Sequence, residues 1–254
     1  MSVVLMYHAL YSGDDTAGIS AEDLPYAVSE ENFIAQLDKL AEKRVGLVEQ
    51  DNSHLPDIVI TFDDGHVSNF ELALPHLQSR SLQAYFFITT DYTNNRPFFM
   101  SSDQLRQLSS AGMEIGGHGC SHAFFDDLDA MGAKRELDHS IAFLQKVIGK
   151  PVRSMSFPGG RYNTKAVELA RTAGYRQLFG SGFGTINEQS AHGEQPLNRV
   201  AIRRTTSDQE FKRIIEGDTA HYRREQLKQT AKGVLKRSLG NRLYHGLYKS
   251  FSSR

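Results

Sequence analysis

Apolar residues fall into short continuous runs separated by stretches in which they recur every three or four positions, the signature of buried strands alternating with amphipathic helices. Val3, Val4, Leu5 and Met6 form the first run, ending in Tyr7 and His8, and predict a buried strand. The next twenty residues are polar and contain glycine, so a long loop is expected. Ser29 followed by Glu30, Glu31 and Asn32 predicts a helix start, with acids in the first turn favoured by the macrodipole; Phe33, Leu37 and Leu40 follow at helical spacing. Residues 58–62 read as a strand with Asp63-Asp64-Gly65 at its C-terminal end, and Phe70, Leu74 and Leu77 predict the helix after it. Further strands are expected at 84–89, 113–118, 152–157, 175–179 and 199–203, and helices at 101–111, 133–148, 164–173 and 208–215. Such alternation argues for a parallel sheet. With no repeat and no Pro/Ser-rich linker, the reading is one domain over 1–218 followed by a tail, 219–254.

Composition narrows the picture. The 254 residues are 39% hydrophobic and 23% charged, ordinary for a globular chain long enough to build its core without disulfides. Cys120 is the single cysteine, which excludes an internal disulfide. The first residues lack a basic segment and their apolar stretch is short for a signal peptide, so a cytoplasmic location is expected. No stretch approaches the roughly 18 apolar residues of a membrane span.

The net charge of −1 conceals an asymmetry: 219–254 carry nine Lys/Arg against one acid, a local +8, leaving −9 on the remainder. Leu227, Ala231, Val234, Leu235, Leu239, Leu243, Leu247 and Phe251 recur there at spacings of mostly three and four among basic residues, which predicts a basic amphipathic helix interrupted near Gly240. Two readings stay open: packing on the body with a solvated basic face, or peripheral contact with a partner protein or an anionic membrane at its inner face. An acidic body without a recognisable motif argues against nucleic acid as a partner.

Three groups of reactive residues stand at C-terminal ends of predicted strands, where barrel folds assemble their sites. Adjacent carboxylates after a strand, Asp63 and Asp64, point to different sides; the bland alternative is an Asp-Gly turn with Asp64 bonding its own loop. His118 and His122, four apart, can converge on one cation and, with one carboxylate, suit Zn²⁺ or another divalent transition metal; the alternative is a pair of surface histidines. The third group is Pro158-Gly159-Gly160-Arg161. His54, His66 and His76 lack such pairing and are expected to be solvated, whereas Cys120 is expected to pack inward.

Residues 61–65, Thr-Phe-Asp-Asp-Gly, resemble the first motif of the polysaccharide deacetylases, the NodB-homology or carbohydrate esterase family 4 enzymes. His118 and His122 match the second motif, and Phe-Pro-Gly-Gly at 157–160 resembles the third, normally Pro-Tyr-Gly. The flanks at 5–8, 84–88, 114–118 and 173–175 agree, so the resemblance spans roughly residues 3–215 in order. It implies an α/β fold, an irregular (β/α) barrel of about seven strands, and metal-dependent removal of N-acetyl groups from an N-acetylated carbohydrate. By position, Asp63 is the general base and Asp64, His118 and His122 hold the metal, most simply Zn²⁺. The backbone N–H of Gly159 stabilises the oxyanion, and Pro158, Arg161 and Tyr162 are expected to line the substrate.

Three departures matter. The arginine that usually precedes the third motif falls at Ser156, with Arg161 a possible substitute as partner of the base. The chain has no Trp, and no Leu-x-His stands at the predicted last strand, so the acid is unassigned. The expected activity is deacetylation of an amino sugar in a polysaccharide, oligosaccharide or lipid-linked precursor. The alternatives are a non-sugar amide or O-acetyl ester at the same site, or a catalytically impaired glycan- or metal-binding protein.

Overall fold

The structure, a computed structural model, describes residues 1–48 and 54–228. Among them, seven parallel strands form the central sheet: β1 (Val3–Tyr7), β4 (Ile58–Phe62), β5 (Tyr85–Ile88), β6 (Glu114–Gly117), β7 (Ser154–Ser156), β8 (Gln177–Phe179) and β9 (Val200–Ala201), in the order β8-β7-β6-β5-β4-β1-β9. The sheet curls into the expected irregular barrel. Leu197 pairs with Phe179 at the end of β8, while Val200 and Ala201 pair with Leu5 and Met6 of β1, so one short segment spans the gap between the sheet's edges.

Side chains on a strand alternate between faces, and here the two faces build two layers of core. Val3, Leu5, Tyr7, Ile58, Ile60, Phe62, Phe86, Ile88, Met155 and Leu178 face outward against the helices. Val4, Val59, Tyr85, Phe87, Phe179 and Leu197 face inward and fill the barrel floor. Each such large side chain removed from water contributes on the order of 1.5–3 kcal/mol. The one polar atom of that floor group, the Tyr85 hydroxyl, accepts from the Val48 N–H (3.0 Å) and donates to Gln177 Oε1 (2.8 Å).

The outer helices are α1 (Glu30–Asp38), α2 (Leu74–Ser79), α3 (Ser102–Ser110), α4 (Ala130–Ile148), α5 (Thr164–Ala173) and α7 (Asp208–Ile215), with a single turn, α6 (Glu188–Ala191), beyond β8. Their ends follow local chemistry. Ser29 caps α1 as predicted, Ser101 and Gln104 form a capping box on α3, Asp129 and Asn163 cap α4 and α5, and Gly149 and Gly174 close them in the left-handed region. Asn69–Ala73 is a π-turn rather than the start of an ordinary helix; Pro75, which has no N–H to donate, sits in the first turn of α2 just beyond it.

One expectation about the course of the chain fails. The stretch after His8 is not a featureless loop: β2 (Leu10–Tyr11) pairs in parallel with β3 (Val28–Ser29), and a 3-10 turn at Leu24–Tyr26 folds back so that Tyr26 packs on His8, ring centroids 5.1 Å apart. Two-residue strands have no periodicity to read. At the other end a helix begins at 219, and Tyr222 is buried against Phe183. Of the basic stretch, residues 229–254 lie outside the described residues. No described helix is long and apolar enough to cross a membrane.

Gly116 on β6 faces the barrel interior, where a Cβ would stand 2.6 Å from the Phe87 ring and 2.7 Å from the Ser154 carbonyl oxygen. Gly116→Val should therefore destabilise the fold by about 1–3 kcal/mol through overpacking, read from the urea midpoint. An unchanged midpoint would contradict the close approach of these strands.

Candidate active site

The pleat decides which side chains reach the mouth of the barrel. Asp63 continues the inward row of Val59 and Thr61; His118 continues that of Gly116, and Ser156 that of Ser154. Asp64 would by alternation point out among the helices. Instead its backbone is left-handed (φ 75°), as is Gly65 (φ 88°), and the turn brings its carboxylate to the rim. Short acidic residues tolerate that conformation and glycine adopts it freely. The two carboxylates thus take different surroundings, as their adjacency at a strand end suggested.

Asp63 is locked. Arg199, 1% exposed, donates to both its oxygens at 2.7 Å, and the Ser156 hydroxyl donates to Oδ2 at 3.2 Å. The same guanidinium donates to the Gly180 carbonyl (2.7 Å) and to Thr61 Oγ1 (3.1 Å). Burial pushes the Asp63 carboxyl up, but Arg199 and His118 outweigh it and hold it below the usual carboxylate range. The partner of Asp63 is therefore Arg199, not Arg161. Arg161 pairs with Asp126 (3.0 Å) and Asp127 (2.6 Å) and lies over the Phe124 ring. Ser156, where the family's arginine was expected, instead links Asp63 to His118.

His118 Nδ1 lies 2.9 Å from the Ser156 carbonyl oxygen, which can only accept, so Nδ1 carries the proton and Nε2 presents a lone pair. That lone pair faces Asp64 Oδ1 at 3.3 Å, and His122 Nε2 stands 3.2 Å from the same oxygen. Asp64 Oδ1 is buried without a well-formed hydrogen bond. Burial raises the Asp64 carboxyl, but the two imidazoles in their protonated forms hold it well below the usual range, and Asp64 leaves the His122 imidazole raised although burial lowers it; in the neutral rings the Nε2 lone pairs face Asp64 instead. Acceptor facing acceptor at these separations is what a cation stabilises. Ligand bonds of about 2.0–2.1 Å around a tetrahedral ion place their donor atoms about 3.3 Å apart. The donor set of two imidazoles and one carboxylate, mutually within 4.8 Å, fits a divalent transition metal.

The remaining residues frame this centre. Gly159 is left-handed (φ 59°) against Phe124; Pro158 is buried and Tyr162 packs on Phe157 at 4.8 Å. Tyr92 and Phe124 flank His122, at 6.3 and 6.4 Å between ring centroids. Cys120 is buried as expected, and burial pushes its thiol up to about 11. His66 corrects the expectation of solvation: it is 7% exposed, with Nδ1 2.8 Å from the Ser68 hydroxyl. His76 is not free in solvent either, pairing with Glu30 at 2.9 Å.

His8 and Arg199 were missed from sequence. His8 follows β1, whose Tyr7 is in register with Phe62, so it stands beside Asp63; its Nδ1 is buried without a partner. The strand-end rule that selected Asp63 could have found it. Arg199 lies 136 residues from its partner and carried no local signal.

The polysaccharide deacetylase family profile matches residues 50–178, just over half of the chain. The chain belongs to the polysaccharide deacetylase family. It is 22% identical over 223 residues to YxkH of Bacillus subtilis (strain 168), whose name marks it as a candidate polysaccharide deacetylase; the match covers 84% of this chain and 75% of that one. Among solved structures, the Streptococcus pyogenes deacetylase PplD in complex with acetate shares the fold at a TM-score of 0.73 and 22% identity, covering 84% of this chain and 97% of that one. BC0361, a polysaccharide deacetylase from Bacillus cereus, gives 0.73 and 25%, covering 84% and 68%. The family segment contains Asp63, Asp64, His118, His122 and Gly159; His8 and Arg199 lie on either side of it.

Removing one partner of a buried, hydrogen-bonded ion pair leaves an uncompensated charge. Arg199→Met should destabilise the fold by about 3–5 kcal/mol in urea denaturation, and adding Asp63→Asn should recover part of that loss. Equal midpoints for wild type and Arg199→Met would show that the pair does not hold the closing segment.

Proposed function

We propose that this polysaccharide deacetylase is a metal-dependent hydrolase that removes N-acetyl groups from an amino sugar in a polysaccharide, oligosaccharide or lipid-linked glycan precursor. The observation that carries the reading is the convergence of three lone-pair donors, on Asp64, His118 and His122, beside a carboxylate that Arg199 keeps charged. A divalent cation held by those three, for which Zn²⁺ suits the donor set, would supply Lewis acidity, polarising the amide carbonyl and acidifying water.

The chain's own groups do the rest. Asp63 accepts the proton of the attacking water, and Arg199 and Ser156 fix its orientation while leaving lone pairs on its oxygens. The Gly159 N–H donates to the developing oxyanion, a contribution of about 3–4 kcal/mol for one well-placed donor. His8 gives a proton to the leaving nitrogen as the C–N bond breaks, and the proton held by Asp63 returns to His8, so that water and amide become acetate and a protonated amine. Pro158, Arg161 and Tyr162 wall the side of the mouth where Gly159 stands, and the rings of Tyr92 and Phe124 offer apolar faces to a sugar in place of the missing Trp.

Acetate release from N-acetylglucosamine oligomers, lipid-linked N-acetyl sugars and nucleotide sugars tests the reading. One of these classes should be hydrolysed, chelation should abolish the reaction, and added Zn²⁺ should restore it. Acetate release indifferent to chelator would overturn it.

Variants separate the roles. His118→Ala should lose most of the bound metal as well as the activity; full metal content in purified His118→Ala protein would mean the ligand set is wrong. Asp63→Asn and His8→Gln should each keep the metal while kcat falls by a factor of about 10²–10⁴. Undiminished turnover in either would remove that residue from the mechanism.

A further inference from the structure

His118 and His122 are held by different means. His118 follows directly on β6, its ring anchored by Nδ1 on the Ser156 carbonyl. His122 belongs to no strand or helix, and its backbone is left-handed (φ 66°), a conformation a non-glycine side chain keeps only when its surroundings impose it. What imposes it comes from α4. Glu136, 7% exposed, turns its carboxylate into the loop between the two histidines. Its Oε2 accepts from the backbone N–H of Cys120 (2.6 Å) and of Ser121 (2.9 Å), and its Oε1 accepts from the Ser121 hydroxyl (2.8 Å).

Two consecutive N–H groups converging on one oxygen form a small anion-binding concavity, here occupied by the protein's own carboxylate. Its flanks agree: Gly119 is left-handed (φ 72°), and a Cβ there would stand 3.0 Å from Glu136 Oε2. The carbonyls of Gly119 and Cys120 accept from the N–H groups of Thr90 (3.2 Å) and Asp91 (2.9 Å) after β5. The loop is thus clamped from the helix side through its N–H groups and from the sheet side through its carbonyls. The helix-side clamp reaches furthest along the loop, to both the N–H and the hydroxyl of Ser121, the residue next to His122.

We propose that Glu136 is the positioning residue of the metal site: it wraps the loop of residues 119–121 about its carboxylate and so fixes His122 as the third ligand. The proposal rests on the metal-holding role given above to Asp64, His118 and His122. Without Glu136, His118 and Asp64 keep their anchors while His122 loses its own, and a three-ligand site relaxes toward two ligands. Glu136→Gln keeps the size of the side chain but removes the charge on which the two N–H groups converge, and its amide NH₂ can meet the Ser121 hydroxyl only if that hydroxyl turns from donor to acceptor, so the charge-assisted clamp is replaced by weaker neutral hydrogen bonds.

The test uses full-length wild type, Glu136→Gln and Ser121→Ala, the last removing only the hydroxyl bond. Zn²⁺ affinity is measured by calorimetry on metal-free protein, folding by far-UV circular dichroism and urea, and ligand geometry by the visible spectrum of the Co²⁺-loaded protein. In Glu136→Gln, Zn²⁺ should bind about 10- to 100-fold more weakly, the usual effect of altering an outer-shell partner, at unchanged native helicity. Its Co²⁺ absorption bands should change in position and intensity, and Ser121→Ala should fall between it and wild type. Wild-type Zn²⁺ affinity and an unaltered Co²⁺ spectrum in Glu136→Gln would overturn the proposal. If Glu136→Gln is too unstable to purify, wild-type affinity and spectrum in Ser121→Ala would overturn it. Failure of wild type itself to bind Zn²⁺ or Co²⁺ would instead overturn the metal-holding reading on which it rests.

Discussion

The ion pair between Arg199 and Asp63 is the contact on which the rest of the molecule converges. Leu197 reaches β8 and Val200 reaches β1, so Arg199, in the two-residue step between them, crosses the inside of the barrel mouth. From there one guanidinium touches the ends of β4, β7 and β8 through Asp63, Ser156 and Gly180. A buried charge is costly unless it is paired and its hydrogen bonds are met, and here each side supplies what the other lacks. The contact therefore closes the sheet and holds a carboxylate ionised at the mouth, two tasks in one geometry. Such a pair is poor at adding net stability compared with apolar packing; what it supplies is a fixed position.

Around that fixed carboxylate, polarity is layered along the barrel axis. The floor is aromatic and aliphatic, built on Val4, Val59, Tyr85 and Phe87, and the same inward rows end at the mouth in Asp63, His118 and Ser156. Each row changes character within one or two steps of its strand's end. Backbone strain sits at the same level: Asp64 and His122 are both left-handed without being glycine. Strain of this kind, of order 1–3 kcal/mol per residue, persists only where neighbours over-determine it, which the barrel mouth does through Gly65 on one loop and Glu136 on the other.

Much of this was legible in the sequence, for reasons that differ by residue. Helices α5 and α7 could be read to the residue because their signals are local: Asn163 and Ser207 cap them, and Gly174 follows the first. Asp63, Asp64, His118 and His122 were legible because each pair sits within five residues at a strand end. Arg199 was not, because its meaning arises when a strand late in the chain is laid beside β1. Arg161, near the motif in sequence, was drawn off by Asp126 and Asp127, a surface pairing that no spacing rule forecasts. The same limit applies to the loop after His8, whose fold depends on Tyr26 meeting a ring eighteen residues earlier, and to His66, buried by the turn at Ser68 rather than by any apolar neighbour in sequence.

Asp64, His118 and His122 are proposed to hold one divalent cation beside an Asp63 still bound to Arg199. Anomalous diffraction from crystals of the Zn²⁺-loaded protein tests this most directly. A single strong peak is expected about 2.0–2.2 Å from Asp64 Oδ1 and from the Nε2 atoms of both histidines, with the Arg199–Asp63 contact intact. A peak held by other residues, or Asp63 drawn off Arg199 to become a ligand itself, would contradict it.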